Sequence, residues 1–373
     1  MSLTLKSSVG KVLEFSDMDP VKAYAHHTIP LSIILLDDRN VSWLHEHFNQ
    51  IFCYVNDDIL QVDYIEQLRQ YREILDIVQI PVYKASAVTD LVSFLVNSIN
   101  SNLYVTIYVD EFYLENRYAT NTLHYMRQIV INGYDTDAKL FHCKGFTRYN
   151  DNSFKDSGYD QYGAETIPFD TLVRAYNEGY SRYNDPPDKY IIIWGSKKDA
   201  SGYEFKIRDF ISRLNQYITS SGQMFQQTGI GQNVLKVLEE TIYWMIHERR
   251  ATLDSRALYT VFEHKKRLHE SLTFVRDFFD PPSETFDRLL TEYATTVVTR
   301  AQKLFYQYLH FEYKARVKGL IIDKVFSPYA DDTRERRTVV RNLENIISNI
   351  QELKAIDMTV TTNLCHELMH HFG

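Results

Sequence analysis

The sequence predicts an α+β protein, with an N-terminal α+β domain at residues 1–200 and a helical domain at residues 201–373. Two observations lead to this division. Before residue 200, short runs rich in Val, Ile, Tyr and Phe alternate with helical patterns and are bounded by Asn, Asp, Gly and Pro. After about residue 203, strand signals nearly vanish, and apolar residues recur at helical spacing to the end of the chain.

Six segments of the first half are predicted to be β-strands, because β-branched and aromatic residues favour extended structure. In one of them, the apolar run IVI (129–131) leads into Asn132-Gly133, a dipeptide typical of tight hairpin turns. We therefore expect that strand to stop at this dipeptide. The six segments are LSIILL (31–36), DIVQIPVY (76–83), NLYVTIYVD (102–110), QIVINGYD (128–135), AKLFHCKGF (138–146) and KYIIIWG (189–195).

Helices are predicted between these strands and throughout the second half. In the first half, apolar residues share one face over residues 42–54, 63–75 and 87–99. Ser42 is a plausible N-cap for the first of them. Five helical segments follow residue 203, separated by breaks such as Ser220-Ser221-Gly222 and Asp280-Pro281-Pro282. This order predicts a helical bundle after the α+β domain.

Composition excludes several classes of protein. The 373 residues carry 41 basic and 49 acidic side chains, a net charge of −8, which argues against a nucleic-acid-binding protein. No run of 18 apolar residues is present, so we expect no membrane-spanning segment and no membrane partner. The three cysteines are odd in number and far apart, and the first residues lack the apolar stretch of a secretory signal. A cytoplasmic location is expected.

The sequence predicts neither a bound cofactor nor a metal. No Gly-rich phosphate loop is present, because TGIGQN (228–233) lacks the Lys and Ser or Thr of a P-loop. His366-Glu367-Leu368-Met369-His370 matches the H-E-x-x-H pattern of zinc hydrolases, but only three residues follow it to supply a third ligand. Histidines at a helix C-terminus have a simpler interpretation, since positive charge is favoured there.

Cys53 and His124 are the candidate nucleophile and base. A cysteine nucleophile needs a thiolate, and its histidine needs a third polar group to orient it. Each residue also has a plainer interpretation: Cys53 as a small buried hydrophobe among Ile51, Phe52 and Tyr54, and His124 as a hydrogen-bonded surface residue.

Residues 102–135 resemble the butirosin biosynthesis protein H-like family. The resemblance rests on NLYVTIYVDEFYL, with its "vD-x-x-x-L" pattern, and on HYMRQIVINGYD, with its terminal Gly-Tyr-Asp. IPFDTLVRAYN (167–177), YIIIW (190–194), TGIGQNVLKVLEETI and YTVFEHKKRLHESLTF are similar to later segments of the family. The likeness runs from about Leu31 to Phe274.

The resemblance implies a papain-like N-terminal domain, built mainly from an antiparallel sheet with helices, and an acyltransferase ancestry in antibiotic and non-ribosomal peptide biosynthesis. The founding member moves an aminoacyl group from a carrier-protein thioester to an amine. In such chemistry a cysteine takes the acyl group and a histidine acts as base and then as acid. An acyl or peptidyl carrier protein and a small-molecule or peptide substrate are the implied partners.

The chain departs from the family pattern at the expected catalytic positions. Counting back from Gly133, the histidine position of the family strand holds Arg127, and His124 lies three residues upstream. Because side chains alternate along a strand, this shift predicts opposite faces for the two residues. Asp137, in the following turn, is the candidate orienting carboxylate. If a helix spans residues 42–54, Cys53 lies in its last turn.

Two functions follow from these departures. In one, the chain is an accessory protein of peptide-antibiotic biosynthesis that resembles acyltransferases but has a degenerate catalytic set, a pseudoenzyme. In the alternative, it is an active cysteine acyltransferase or a thioester- or amide-cleaving enzyme that uses Cys53, His124 and Asp137. The separation between the Cys53 sulfur and the His124 ring distinguishes the two.

Overall fold

The computed structural model of the chain describes most of its 373 residues. The described ranges are 9–18, 21–56, 59–65, 68–81, 90–117, 119–148, 160–182, 190–197, 202–221, 229–247, 252–279, 283–317, 321–322, 325–326 and 334–373. The chain folds into two compact units. The first unit contains Met1–Asn40 and Leu68–Gly202, and the second contains Val41–Gln67 and Tyr203–Gly373. Residues 41–67, which we expected in the N-terminal domain, therefore belong to the second unit.

The first unit is built on a seven-stranded sheet in which every pair of neighbours is antiparallel. Six strands follow one another in the order β4-β9-β5-β6-β7-β8, and β1 pairs with the far end of β6. This arrangement confirms a mixed α+β fold with an antiparallel sheet. The strands are β1 (Gly10–Val12), β4 (Leu75–Pro81), β5 (Tyr104–Asp110), β6 (Met126–Asp135), β7 (Leu140–Arg148), β8 (Asp160–Pro168) and β9 (Tyr190–Ser196).

Two helices of the first unit cover the apolar core of this sheet. Leu95 and Leu172, one from each helix, are fully buried in a cluster with Ile107 and Ile129 of the sheet. Burying apolar surface in this way is the main source of folding free energy. The helices of the unit are α1 (Ala25–Ile34), the short α3 (Leu68–Tyr71), α4 (Leu91–Asn100) and α5 (Phe169–Arg182), together with 3₁₀ turns at Asp38–Asn40 and Glu111–Tyr113.

The Asn132-Gly133 dipeptide lies inside β6 and makes no hairpin turn, so this prediction was wrong. The pairing of β6 with β7 shifts between Ile131 and Gly133, as at a β-bulge. Asn132 is held there because its backbone carbonyl and its side-chain amide both bond the backbone of Leu13. Gly133 faces Val12 of β1 so closely that an added Cβ would lie 2.8 Å from the Lys11 carbonyl oxygen. The hairpin turn comes at residues 136–139 instead.

The second unit combines a small sheet with long helices. Its strands run in the order β10-β2-β3-β11, and Cys53 of β2 pairs with Val62 of β3 and Gly229 of β10. The strands are β2 (Ile51–Asn56), β3 (Ile59–Tyr64), β10 (Gly229–Ile230) and β11 (Thr252–Leu253), and a separate pair comprises β12 (Ile321–Ile322) and β13 (Val325–Phe326). The helices are α2 (Val41–His47), α6 (Ile207–Thr219), α7 (Asn233–His247), α8 (Ser255–Phe279), α9 (Glu284–Glu292), a π-helical segment (Tyr293–Val298), α10 (Thr299–Val317) and α11 (Arg334–Phe372).

The helical character expected after residue 203 is confirmed, and α11 is its longest element at 39 residues. It packs on α6, α7, α9 and α10 within the second unit. No helix among the described residues is both long and apolar enough to cross a membrane.

Two segments of the first 60 residues differ from the sequence prediction. LSIILL (31–36) was predicted as a strand, but Ala25–Ile34 is a helix with Pro30 inside it. The helix predicted over residues 42–54 ends at His47, and the chain continues as β2. Both errors have one cause: a short apolar run fits a buried helix and a buried strand equally well.

Candidate functional site

The candidate site lies where β5 ends and β6 begins. Asp110 is the last residue of β5, and its antiparallel partner on β6 is Met126. This pairing brings the residues just before Met126 alongside the Asp110 carboxylate. The intervening segment 111–125 starts with the 3₁₀ turn Glu111–Tyr113. The Phe112 N–H of this turn donates to that carboxylate, and the Glu111 N–H donates to the Tyr125 carbonyl oxygen.

The Asp110 carboxylate orients His124. His124 Nδ1 lies 2.7 Å from Asp110 Oδ2, while Asp110 Oδ1 accepts the backbone N–H groups of Phe112 and Tyr125, each at 3.1 Å. Asp110 is fully buried, and these three hydrogen bonds replace the water that its charge would otherwise require. An ionised carboxylate only accepts, so the contact assigns the hydrogen to Nδ1 and leaves Nε2 as the acceptor nitrogen of the neutral ring.

The imidazole of His124 is partly open to solvent. Its side chain is 32% exposed, in contrast to the buried carboxylate beneath it. The ring stacks on Phe112 with centroids 4.3 Å apart, and Tyr113 lies at 5.9 Å. A histidine held by a carboxylate on one nitrogen and reachable from solvent has the arrangement of a general base or of a hydrogen-bonding recognition group.

Arg127 has a carboxylate partner of its own. Its guanidinium lies 3.1 Å from Glu111 Oε1, next in sequence to Asp110, and rests near the rings of Tyr125 and Phe146. Arg127 therefore does not stand in the place of His124 beside Asp110. Strand alternation does not relate the two residues either, because β6 begins at Met126 and His124 precedes it.

No protein-family model and no curated protein matches this chain.

Cys53 is not in the last turn of a helix but in the middle of β2, in the second unit, whereas His124 lies in the first. Its side chain is fully buried, and Gly229 of β10 closes over it so tightly that an added Cβ would lie 3.1 Å from the sulfur. Burial raises the pKa of the Cys53 thiol to about 12. This residue has the environment of the small buried hydrophobe described above and not that of a thiolate nucleophile.

Asp137 lies at the wrong end of β6 to orient His124. It is exposed in the turn that follows the strand, where its backbone N–H donates to Asp135 Oδ1. Ten residues of extended chain, about 30 Å, separate that turn from the start of β6. Asp110 takes the role that we assigned to Asp137.

Asp110 was missed although a signal was present in the sequence. It ends the apolar run YVTIYV and is the Asp of the "vD-x-x-x-L" pattern on which the family resemblance rests. A carboxylate at the end of a buried strand tends to be buried as well, so it needs hydrogen-bond donors nearby. His124 is the one histidine in the sequence between β5 and β6, and it can supply such a donor.

The other two cysteines are also buried. Cys143 lies on β7 in the core of the first unit, and burial raises its pKa to about 12. Cys365 lies on α11, where burial raises the pKa to about 11. All three cysteines of the chain are therefore protonated at neutral pH.

The H-E-x-x-H segment is part of α11, and its glutamate has a structural contact. Ser283 donates to Glu367 Oε2 at 2.7 Å, and the same hydroxyl accepts the N–H of Phe286 as the N-cap of α9. His366 and His370 are exposed. Within either unit taken alone, the described residues contain no group of three His, Cys, Asp or Glu side chains whose ligand atoms lie within 4.8 Å of one another.

Proposed function

We propose that this chain is an accessory protein of peptide-antibiotic biosynthesis, with a papain-like first unit, that binds acyl or peptidyl groups without forming an acyl-cysteine. The observation that carries this proposal is the state of the thiols. Acyl transfer through cysteine needs a thiolate in a partly exposed, positive environment. Cys53, Cys143 and Cys365 are all buried, with pKa values raised to about 12, 12 and 11.

The unit that contains His124 and Asp110 has just one cysteine, Cys143. That thiol points into the core and donates to the Glu165 carbonyl oxygen at 3.6 Å. His124 and Asp110 therefore have no accessible thiol in the first unit from which His124 could take a proton. In this proposal His124 and its neighbours contribute recognition, and a peptidyl or acyl carrier protein presents the group that is recognised.

Mass spectrometry of the intact protein tests this proposal. The chain is incubated with an acyl carrier protein that carries an acyl thioester, and its mass is compared with that of the untreated chain. We expect no added acyl mass. We also expect iodoacetamide at pH 7 to label the folded chain far more slowly than a free model thiol and to label all three cysteines in urea. An acyl adduct on any cysteine would contradict the proposal.

A second candidate function is favoured by the pair formed by His124 and Asp110. His124 can act as a general base that needs no cysteine: Nε2 takes a proton from an acceptor amine while the amine nitrogen attacks the thioester carbonyl. The new C–N bond forms, the C–S bond breaks, and the proton returns from the imidazole to the leaving thiolate. Asp110 stabilises the imidazolium between the two steps.

A comparison of two variants separates this candidate from the cysteine enzyme. Thioester loss and amide formation are followed with an amine acceptor for Cys53→Ala and His124→Asn. If His124 is the base, Cys53→Ala keeps the wild-type rate, while His124→Asn lowers it by about 10²- to 10⁴-fold. If the wild-type chain forms no amide with any carrier-bound acyl donor supplied, the accessory function is favoured.

A further inference from the structure

Helix α5 places two arginines beside the pair formed by His124 and Asp110. The contact is close at Gly179, where an added Cβ would lie 3.1 Å from the Asp110 Cβ. Arg174 extends its guanidinium over the face of Tyr113, 4.5 Å from the ring centroid. Arg182 donates to the hydroxyl of the same tyrosine at 3.4 Å. Two guanidinium groups therefore flank one ring, whose centroid is 5.9 Å from that of His124.

These two arginines differ from the other arginines near the site. Arg127 is neutralised by Glu111, and Arg117 by Glu165. Within the part of the chain that the structure describes, neither Arg174 nor Arg182 has a carboxylate oxygen within 4.0 Å. Both are exposed at the surface. Guanidinium groups held in place by an aromatic ring but without an ion pair are suited to binding an anion.

The charges near Arg182 favour a singly charged anion. Its pKa is raised first by the hydrogen bond to Tyr113, and further by the negative charges of Glu178 and Asp110. These negative charges also oppose the binding of an anion beside Arg182. A carboxylate with one charge meets less repulsion than a phosphate monoester, which carries ≈ −1.5 to −2 near neutral pH.

The two residues next to His124 in sequence are apolar and exposed. Leu123 is 53% exposed and Tyr125 is 40% exposed, on either side of the imidazole in sequence. Exposed apolar side chains that adjoin a polar group are typical of ligand and partner sites. An apolar side chain of a ligand can rest here while its charged end faces α5.

We propose that Arg174, Arg182 and Tyr113 bind the carboxylate of an amino acid or short peptide whose apolar side chain lies against Leu123 and Tyr125, beside His124. This inference rests on the proposed function, since it specifies the peptidyl group that the site recognises. The carboxylate takes hydrogen bonds from the two guanidinium groups, and His124 supplies a further polar contact to the backbone of the peptide.

Isothermal titration at low ionic strength tests the inference with three probes: N-acetyl-leucyl-phenylalanine, its C-terminal amide, and inorganic phosphate. We expect the acid to bind about tenfold more tightly than the amide, because a charge-assisted hydrogen bond is lost in the amide. Arg174→Gln or Arg182→Gln raises the Kd of the acid about tenfold and leaves that of the amide unchanged.

Arg208→Gln is the matched control, because it removes the same charge from an exposed position on α6 in the second unit. Equal binding of acid and amide, no binding of the acid, or an equal loss in Arg208→Gln would overturn the inference. Displacement of the acid by phosphate at the same concentration would overturn the choice of a carboxylate. An acyl-cysteine adduct, by contrast, would refute the accessory function and leave the difference between acid and amide unaffected.

Discussion

Each unit contains a fully buried aspartate that accepts hydrogen bonds from a basic side chain, but the surroundings of the two differ. In the first unit, Asp110 holds His124, whose ring is 32% exposed. In the second, Asp357 of α11 holds Lys265 of α8 at 2.8 Å, and neither side chain has any exposure. A buried carboxylate is thus common to both, and the exposure of its partner decides whether the pair can meet a ligand.

The Asp357 cluster is closed by further hydrogen bonds from the helices around it. Its Oδ2 accepts the Tyr217 hydroxyl at 2.7 Å and the Gln232 amide at 3.1 Å, and Thr361 donates to Oδ1. Burial lowers the pKa of Lys265, whereas the Asp357 charge opposes that shift. These hydrogen bonds join α6, α8 and α11 to Gln232, the residue just before α7.

The largest expected effect comes from Asp357→Asn. This substitution leaves Lys265 charged and unpaired in the core, so the free energy of unfolding should fall by about 3–5 kcal/mol. Urea denaturation followed by circular dichroism measures the change. Lys265→Met combined with Asp357→Leu should restore part of the loss. Glu352→Gln is the control, because its ion pair with Arg300 is exposed and should contribute about 1 kcal/mol or less.

If Asp357→Asn lowers the free energy of unfolding by less than about 1 kcal/mol, the Asp357 cluster does not stabilise the second unit. The buried pair would then not differ from the pair of Asp110 and His124 in its contribution to stability.

The second largest effect is expected at low pH, where the second unit should lose stability. Burial lowers the pKa of His45 to about 4 and that of His47 to about 3, and the charges of Arg267 and Arg213 add to these shifts. In the unfolded chain both histidines have a pKa of about 6.5. The unfolded state therefore binds more protons below that pH, and stability falls from about pH 6.5 downward, by about 2 kcal/mol for each histidine at pH 5.

Urea midpoints between pH 8 and pH 4 measure this dependence, and His47→Gln should make it shallower. Glutamine can still donate to the Trp43 carbonyl oxygen, which His47 contacts at 3.0 Å. His310→Gln, at an exposed position, is the control and should leave the slope unchanged. If the urea midpoints of His47→Gln and His310→Gln depend on pH in the same way, burial of His47 does not cause the loss of stability at low pH.

A smaller effect is expected at the site of the first unit. Asp110→Ala removes the acceptor of His124 and of two backbone N–H groups, so it should cost about 2 kcal/mol and leave His124 with mixed tautomers. Nitrogen chemical shifts of the imidazole report the tautomer. Asp137→Ala is the control, with an expected change within about 0.5 kcal/mol and no change in the His124 signals. A large loss of stability and altered His124 signals in Asp137→Ala, with neither change in Asp110→Ala, would instead assign the orienting role to Asp137.

The elements predicted correctly from the sequence are those with strong local boundaries. The runs that became β4, β5 and β9 are rich in Val, Ile and Tyr and end at Pro, Asp and Gly, and the long helices after residue 203 have clear apolar spacing. At these segments the local sequence predicts the secondary structure correctly, because the tertiary structure favours the same conformation as the local preference.

The residues of the site were only half predictable, because His124 and Asp110 meet through strand pairing. His124 was identified as a candidate, yet its partner is 14 residues away, and the register of β5 with β6 is what joins them. Cys53 was misplaced for a related reason: the sequence of residues 42–54 does not reveal that β3 and β10 pair on either side of it. Pairing between distant segments overrides local preference at both residues.

The bulge in β6 determines which residues after Ile131 reach the core. Ile129 and Ile131 belong to the core cluster, and after the bulge the next member is Tyr134, so the alternation of faces reverses at Asn132-Gly133. The Tyr134 hydroxyl then bonds the Asn100 side chain at 2.7 Å. Deletion of a single residue there would turn the core-facing side chains of the rest of the strand toward the opposite face of the sheet.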